Sequence, residues 1–354
     1  MAGSQDRVVC DDLRLERFDH FPGALIDVPA SELWRHLQGP SLFFLRGRQP
    51  RPLFISVLLH GNEDSGWRAI QSLLREHRKA ILPRSMLLFV GNVAAAKAKV
   101  RTLPHQEDYN RAWPGTLNPD TPLARLLADI VGIVRHEMPF ASIDIHNNTA
   151  YNPHYACVNS LGEAHLHLAR LFSRTVVYFH RPLGVQSAAV APICPAVTVE
   201  CGRIGEAVSV AHVAEFIGSA LAMQQFPDHR LPDGDLDLMK TFAIIKVPTD
   251  ASLSYDGTDA DFRLRADLDR LNFSELDPGV VFGTLGGSAK HRFDLVMAEG
   301  ERAEDEYFDY TRGKIRLSQR AIPAMLTLDQ SAVRLDCLGY LMHRIGRDGR
   351  RIPG

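Results

Sequence analysis

The sequence predicts an α/β fold, a mostly parallel sheet with helices on both faces, followed by a smaller β-rich C-terminal domain. Three observations predict it. Between about residues 52 and 225, apolar runs of strand length alternate with segments of helical period. Three of those runs finish on a residue able to ligate a metal or carry a proton, as expected where a site gathers beyond the carboxyl ends of strands. After the turn-rich stretch Pro227-Asp228-His229-Arg230-Leu231-Pro232-Asp233-Gly234-Asp235, the helical period gives way to short β-type runs separated by Gly, Pro and Asp.

Taken in order, Leu53 to Leu59 reads as a buried strand, and Glu63 to His77 as a helix with Trp67, Ile70, Leu73 and Leu74 on one face. Met86 to Val90 is a short strand closed by Gly91-Asn92. Thr121 to Glu137 is a helix: Thr121 suits its cap, Pro122 its first turn, and Leu123, Leu126, Leu127, Ile130 and Ile133 recur at its period. A strand from Ala141 to His146 follows, then a helix near Leu161 to Phe172, a strand at Val176 to Phe179 and another from Ala196 to Glu200. A helix from about Glu206 to Gln225 closes the region. Beyond the break, Thr241 to Val247, Val280 to Gly283, Phe293 to Met297 and Ile322 to Leu328 read as strands. The expected organisation is a lead-in over 1–50, a catalytic domain over 51–226, the β-rich domain over 236–340 and a basic, frayed tail over 341–354.

Composition narrows the function. The 354 residues are 45% hydrophobic, enough for a large core, and a net charge of −2 gives no electrostatic reason to expect nucleic acid or an anionic membrane as partner. No run reaches the roughly 20 apolar residues that span a bilayer. Met1 to Phe21 lacks the apolar centre of a signal peptide. The five cysteines (Cys10, Cys157, Cys194, Cys201, Cys337) are scattered without a Cys-x-x-Cys pair, so a reducing cytoplasm is the expected location.

The candidate site lies at the strand ends. The first strand runs into His60-Gly61-Asn62-Glu63, the strand from Ala141 ends on His146, and the strand from Ala196 ends on Glu200. A strand-end histidine or a first-turn glutamate is ordinary when taken alone. Jointly, two imidazoles and a carboxylate with one open position form a donor set for catalytic zinc. His60, Glu63 and His146 are therefore the candidate ligands of one Zn²⁺, with Glu200 as general base. Asp144 shares a strand face with His146 and is placed to fix its tautomer.

His60-x-x-Glu63, Asn110-Arg111, Asp144-x-His146 and Val199-Glu200-x-Gly202 follow one another in an order that resembles the succinylglutamate desuccinylase/aspartoacylase family. That family is related to the zinc carboxypeptidases of the carboxypeptidase A type, whose fold is then expected here. The resemblance implies zinc-activated water attacking an amide carbonyl, with Glu200 moving the proton to the leaving nitrogen. It also implies that Asn110 and Arg111 hold a substrate carboxylate, a task suited to arginine's planar fork, and that Arg101 polarises the scissile carbonyl. A tyrosine from the second domain, Tyr307 or Tyr310, is a further candidate to reach the cleft. One family feature is missing. The run Ser187 to Ile193 carries no arginine where aspartoacylase-like members place one for a second carboxylate. The expected substrate is therefore an N-acyl amino acid with one carboxylate, or a short peptide cleaved as by a carboxypeptidase. A binding module that has lost turnover is the remaining alternative.

Overall fold

The structure is a computed structural model that describes residues 13–287, 290–297, 302–303 and 307–352. The strands Gly47–Val57, Leu82–Val90, Ala141–Asn148 and Ala196–Arg203 form the centre of the main sheet. Gly47–Val57 lies between Leu82–Val90 and Ala141–Asn148, parallel to both, and Ala196–Arg203 continues the parallel array on the far side of Ala141–Asn148. Leu53 to Leu59 contact no solvent apart from traces, because both faces of this central strand are covered.

Alternation along the strand sorts the two layers. Ile55 and Val57 pack in one cluster with the helices Ser65–Glu76, Glu163–Phe172 and Ala207–Ala222. Phe54 turns the other way, into a cluster with Phe89, Trp113 and the helix Pro122–Glu137. That helix begins as its sequence implies: Thr121 Oγ1 accepts the Ala124 N–H at 3.1 Å, and Pro122 occupies its first turn.

On both sides of the parallel array the strand direction reverses. Ser41–Leu45 pairs antiparallel with Leu82–Val90 in what was expected to be a lead-in. Tyr155–Val158 pairs antiparallel with Ala196–Arg203 and then parallel with Thr175–Tyr178. The short strand thus descends from the rim directly beside the strand that carries Glu200.

The C-terminal region has its own apolar cluster around Phe262, Phe282, Phe293, Phe308 and Leu341. It includes a second sheet, of five strands among the described residues. It is joined to the first half by one long strand, Asp237–Lys246, which pairs parallel with Thr175–Tyr178 at its start and antiparallel with Gly339–Arg344 along most of its length. Residues 345–352 differ from the frayed tail expected of a basic, Gly-rich stretch. Ile345 bridges to Arg351, and the Arg347 guanidinium pairs with Glu163 at the start of a catalytic-half helix. Basic side chains here have a carboxylate to meet, which composition alone does not reveal. Cys10 lies outside the described residues; Cys157, Cys194, Cys201 and Cys337 carry no disulfide. Among the described residues, no helix is long and apolar enough to cross a membrane.

Candidate active site

The rim of the main sheet brings His60, Glu63 and His146 together, all buried, with one potential ligand atom from each within 4.8 Å of the others. Glu63 Oε1 lies 2.8 Å from His60 Nδ1, and Oε2 lies 2.8 Å from His146 Nδ1. The two Nδ1 atoms are 3.2 Å apart. The outer ring nitrogens face carboxylates: His146 Nε2 is 2.8 Å from Asp144 Oδ2, and His60 Nε2 is 3.1 Å from Asp108 Oδ1. Asp144 is itself fixed by the Ser56 hydroxyl, which donates to Oδ1 at 2.6 Å. Each imidazole is thereby oriented from behind, with the other nitrogen turned inward.

The chain path makes this geometry. Gly61 follows His60 where a Cβ would stand 2.1 Å from the Ala95 carbonyl carbon, so the turn needs glycine for close approach. The Gly61 N–H donates to the Arg101 carbonyl at 3.1 Å, tying that loop to the ligand turn. His146 and Glu200 are register partners on adjacent parallel strands, and Tyr155 faces Glu200 from the antiparallel strand.

Charge is concentrated here. Burial works against the Glu63 carboxylate, but the His60 and His146 rings outweigh it and hold Glu63 well below the usual range. His146 is affected in the opposite sense: burial opposes its charged form, yet Asp144 and Glu63 raise it. Glu200 is pushed up to about 7, mainly by burial, against the attraction of the histidines. Its Oε2 is buried and has no hydrogen-bond partner among the described residues.

The cavity in front of these residues has a volume of about 110 Å³ and is lined by Glu200, Arg101, Asn110 and Arg111 together with the triad. Tyr155, Val177, Phe179, Val185 and Met325 give the lining apolar surface, and Arg181 is a third arginine in it. Asn110 is held behind the triad: its Oδ1 accepts the Gln186 N–H at 3.0 Å, and its Nδ2 lies 3.1 Å from His146 Nε2. Arg101 is anchored by Asp108 at 2.9 Å and approaches Glu63 Oε1 at 3.9 Å. Arg111 reaches the cavity with a carboxylate already in its grip: its Nη2 donates to Asp336 Oδ2 at 2.8 Å.

Asp336, Tyr155 and Tyr340 line the cavity without having been singled out in the sequence. Tyr307 and Tyr310, the tyrosines considered there, pack instead against the C-terminal apolar cluster, and Tyr310 Oη accepts the Phe293 N–H. The second-domain tyrosine at the cavity is Tyr340, on the strand Gly339–Arg344.

A mixed α/β sheet that collects two imidazoles and two carboxylates at one rim places the chain in a class of hydrolase folds with known relatives. Residues 50–214 match the family described as succinylglutamate desuccinylase/aspartoacylase catalytic domain. That segment belongs to this family, whose members are hydrolytic enzymes. Among solved structures, the chain resembles succinylglutamate desuccinylase from Chromobacterium violaceum at 15% identity and a TM-score of 0.53, covering 84% of this chain and 86% of that one. It also resembles succinylglutamatedesuccinylase/aspartoacylase from Rhodobacter sphaeroides (13% identity, TM-score 0.56, 85% and 88% covered). Murine aminoacylase 3 is similar as well (16% identity, TM-score 0.54, 84% and 96% covered). No curated protein sequence matches the chain. At these identities the structural likenesses speak for the fold.

Proposed function

We propose that the chain is a zinc-dependent hydrolase, holding one ion, that cleaves the amide bond of a small N-acyl amino acid or a close derivative of one. The observation that carries this reading is the convergence of His60, Glu63 and His146 beside a Glu200 whose buried Oε2 has no hydrogen-bond partner among the described residues. The donor set fits the ion. The inward Nδ1 atoms and the Glu63 carboxylate supply three ligands, while Asp144 and Asp108 hold the rings from outside.

When bound, the zinc supplies a positive charge that acidifies water and polarises a carbonyl. Glu200 receives the proton and returns it to the leaving nitrogen; a carboxylate pushed up to about 7 serves in both directions. Arg101, fixed by Asp108, adds positive charge beside the triad where the carbonyl oxygen becomes more negative. Val177, Phe179, Val185 and Met325 offer apolar surface to an acyl or side-chain group. Asn110 and Arg111 line the same cavity and are assigned to the amino-acid end of the substrate.

A panel of N-acyl amino acids, their carboxamides and C-terminal dipeptides, assayed with and without added zinc, tests the proposal. Zinc-dependent release of the acyl acid supports it. Release of only the terminal amino acid from the dipeptides reassigns the chain as a carboxypeptidase. No turnover on any member would leave a binding module and remove the hydrolase reading.

A further inference from the structure

Arg101 and Arg111 of the cavity lining each meet an aspartate, and Arg181 is a third arginine of that lining. Arg101 pairs with Asp108 at 2.9 Å, and Arg111 pairs with Asp336 at 2.8 Å, with Arg101 and Asp336 a further 3.8 Å apart. The two positive charges are thus matched by two negative ones before any substrate enters. Asp108 belongs to the loop that also backs His60, but Asp336 comes from the other half of the chain.

Asp336 is held firmly. It closes the helix Gln330–Leu335, with its N–H donating to the Ala332 carbonyl at 2.9 Å. The helix is capped by Asp329, whose Oδ1 accepts the N–H groups of Ser331 and Ala332, and Val333 anchors it in the C-terminal apolar cluster. Two residues after Asp336, the Leu338 N–H donates to Ile245 on the strand shared by both halves. The carboxylate is therefore presented to Arg111 by a fixed frame.

Arg111 has its other terminal nitrogen on the Asn110 carbonyl at 2.8 Å. An incoming carboxylate would have to share the guanidinium with Asp336 and stand against its charge. An uncharged amino-acid end meets no such repulsion and can use the remaining lone pairs and N–H groups.

We infer that Asp336 determines specificity at the amino-acid end of the substrate: occupying the Arg111 guanidinium, it selects substrates whose carboxyl group is masked as an amide or ester over those with a free carboxylate. This rests on the hydrolase reading of the same cavity and narrows its substrate class. Discrimination comes from a repulsive element built into the site.

The test compares N-acetylmethionine with N-acetylmethioninamide by calorimetry on the zinc-loaded Glu200→Gln protein, where binding is read without turnover. With Asp336 present, the amide should bind about tenfold or more tightly than the acid; adding Asp336→Asn should raise affinity for the acid by about tenfold and bring the two towards parity. Equal or tighter binding of the acid with Asp336 in place overturns the inference, as does an unchanged ratio after the substitution. Should Asp336→Asn fail to fold, the ratio in the parent protein decides alone. Absence of turnover by the wild-type enzyme on both compounds removes the hydrolase reading and leaves the binding ratio to judge Asp336. Absence of binding by either compound overturns the specificity role.

Discussion

Glu200 sits in a place that disfavours its charge, and that is the source of both its usefulness and its cost. Replacing it with Gln should leave zinc content intact while lowering kcat by about 10³-fold or more, as expected when a proton carrier is lost; metal analysis and steady-state kinetics check the two halves separately. A stability effect follows as well. Its folded pKa of about 7 lies above the ordinary 4.5, so between those values the native state keeps a proton that the unfolded chain releases. Stability conferred by that proton is complete below the ordinary value and is lost as pH rises through about 7. In the metal-free protein, Glu200→Gln should therefore match the parent near pH 4 and exceed it near pH 8 by up to about 3 kcal/mol, read from urea denaturation. Asp144 acts through His146: Asp144→Asn should weaken zinc binding by about 10–100-fold in a chelator competition, with the fold retained. His60, Glu63, His146 and Glu200 were legible because each ends or directly follows an apolar strand. Asp336 and Tyr340 were not, since no local pattern says that a strand of the second half will return over the rim of the first.

At the scale of elements, the main strands and helices follow from period and capping, with ends that differ by a few residues. Thr121-Pro122 marks a helix start and the structure places it there. The strand Tyr155–Val158 escaped notice because four residues are too few to display an alternation, and its direction is set by its neighbours on both sides. The helix Gln186–Val190 is equally short, and its role is positional: the Gln186 N–H holds Asn110. Just before it, Gly184 has φ +71° and its Cβ position lies 2.1 Å from the Arg111 carbonyl oxygen. Its own carbonyl accepts the Trp113 N–H at 3.0 Å, so this glycine seats the Arg111 loop. Gly184→Ala should cost about 1–3 kcal/mol through backbone strain and shift the loop. Thermal denaturation measures the first effect, and a rise in KM larger than the fall in kcat measures the second.

For the molecule as a whole, composition points to a change of texture near residue 236, but does not say how the two halves are joined. The strand Asp237–Lys246 belongs to both, and Thr241, Ala324, Met325, Asp336, Tyr340 and Met342 complete a cavity whose remaining lining comes from the first half. The expected consequence is one calorimetric unfolding transition, raised by zinc, in place of two. A chain ending near residue 226 should expose the Thr175–Tyr178 edge and lose activity; full turnover by that fragment would show that the second half is dispensable.

That joint also bears on how the protein withstands cutting. Residues 228–230 and 232–234 are exposed, whereas Leu231 between them is buried and its N–H donates to Glu163. A protease nick in this segment would sever the backbone while leaving the ladder of Asp237–Lys246 with its neighbours, and the Arg347 clamp on Glu163, in place. The two pieces should co-elute as one particle, and separately expressed halves should reassemble into it, making this segment a natural point for splitting the polypeptide into complementing fragments.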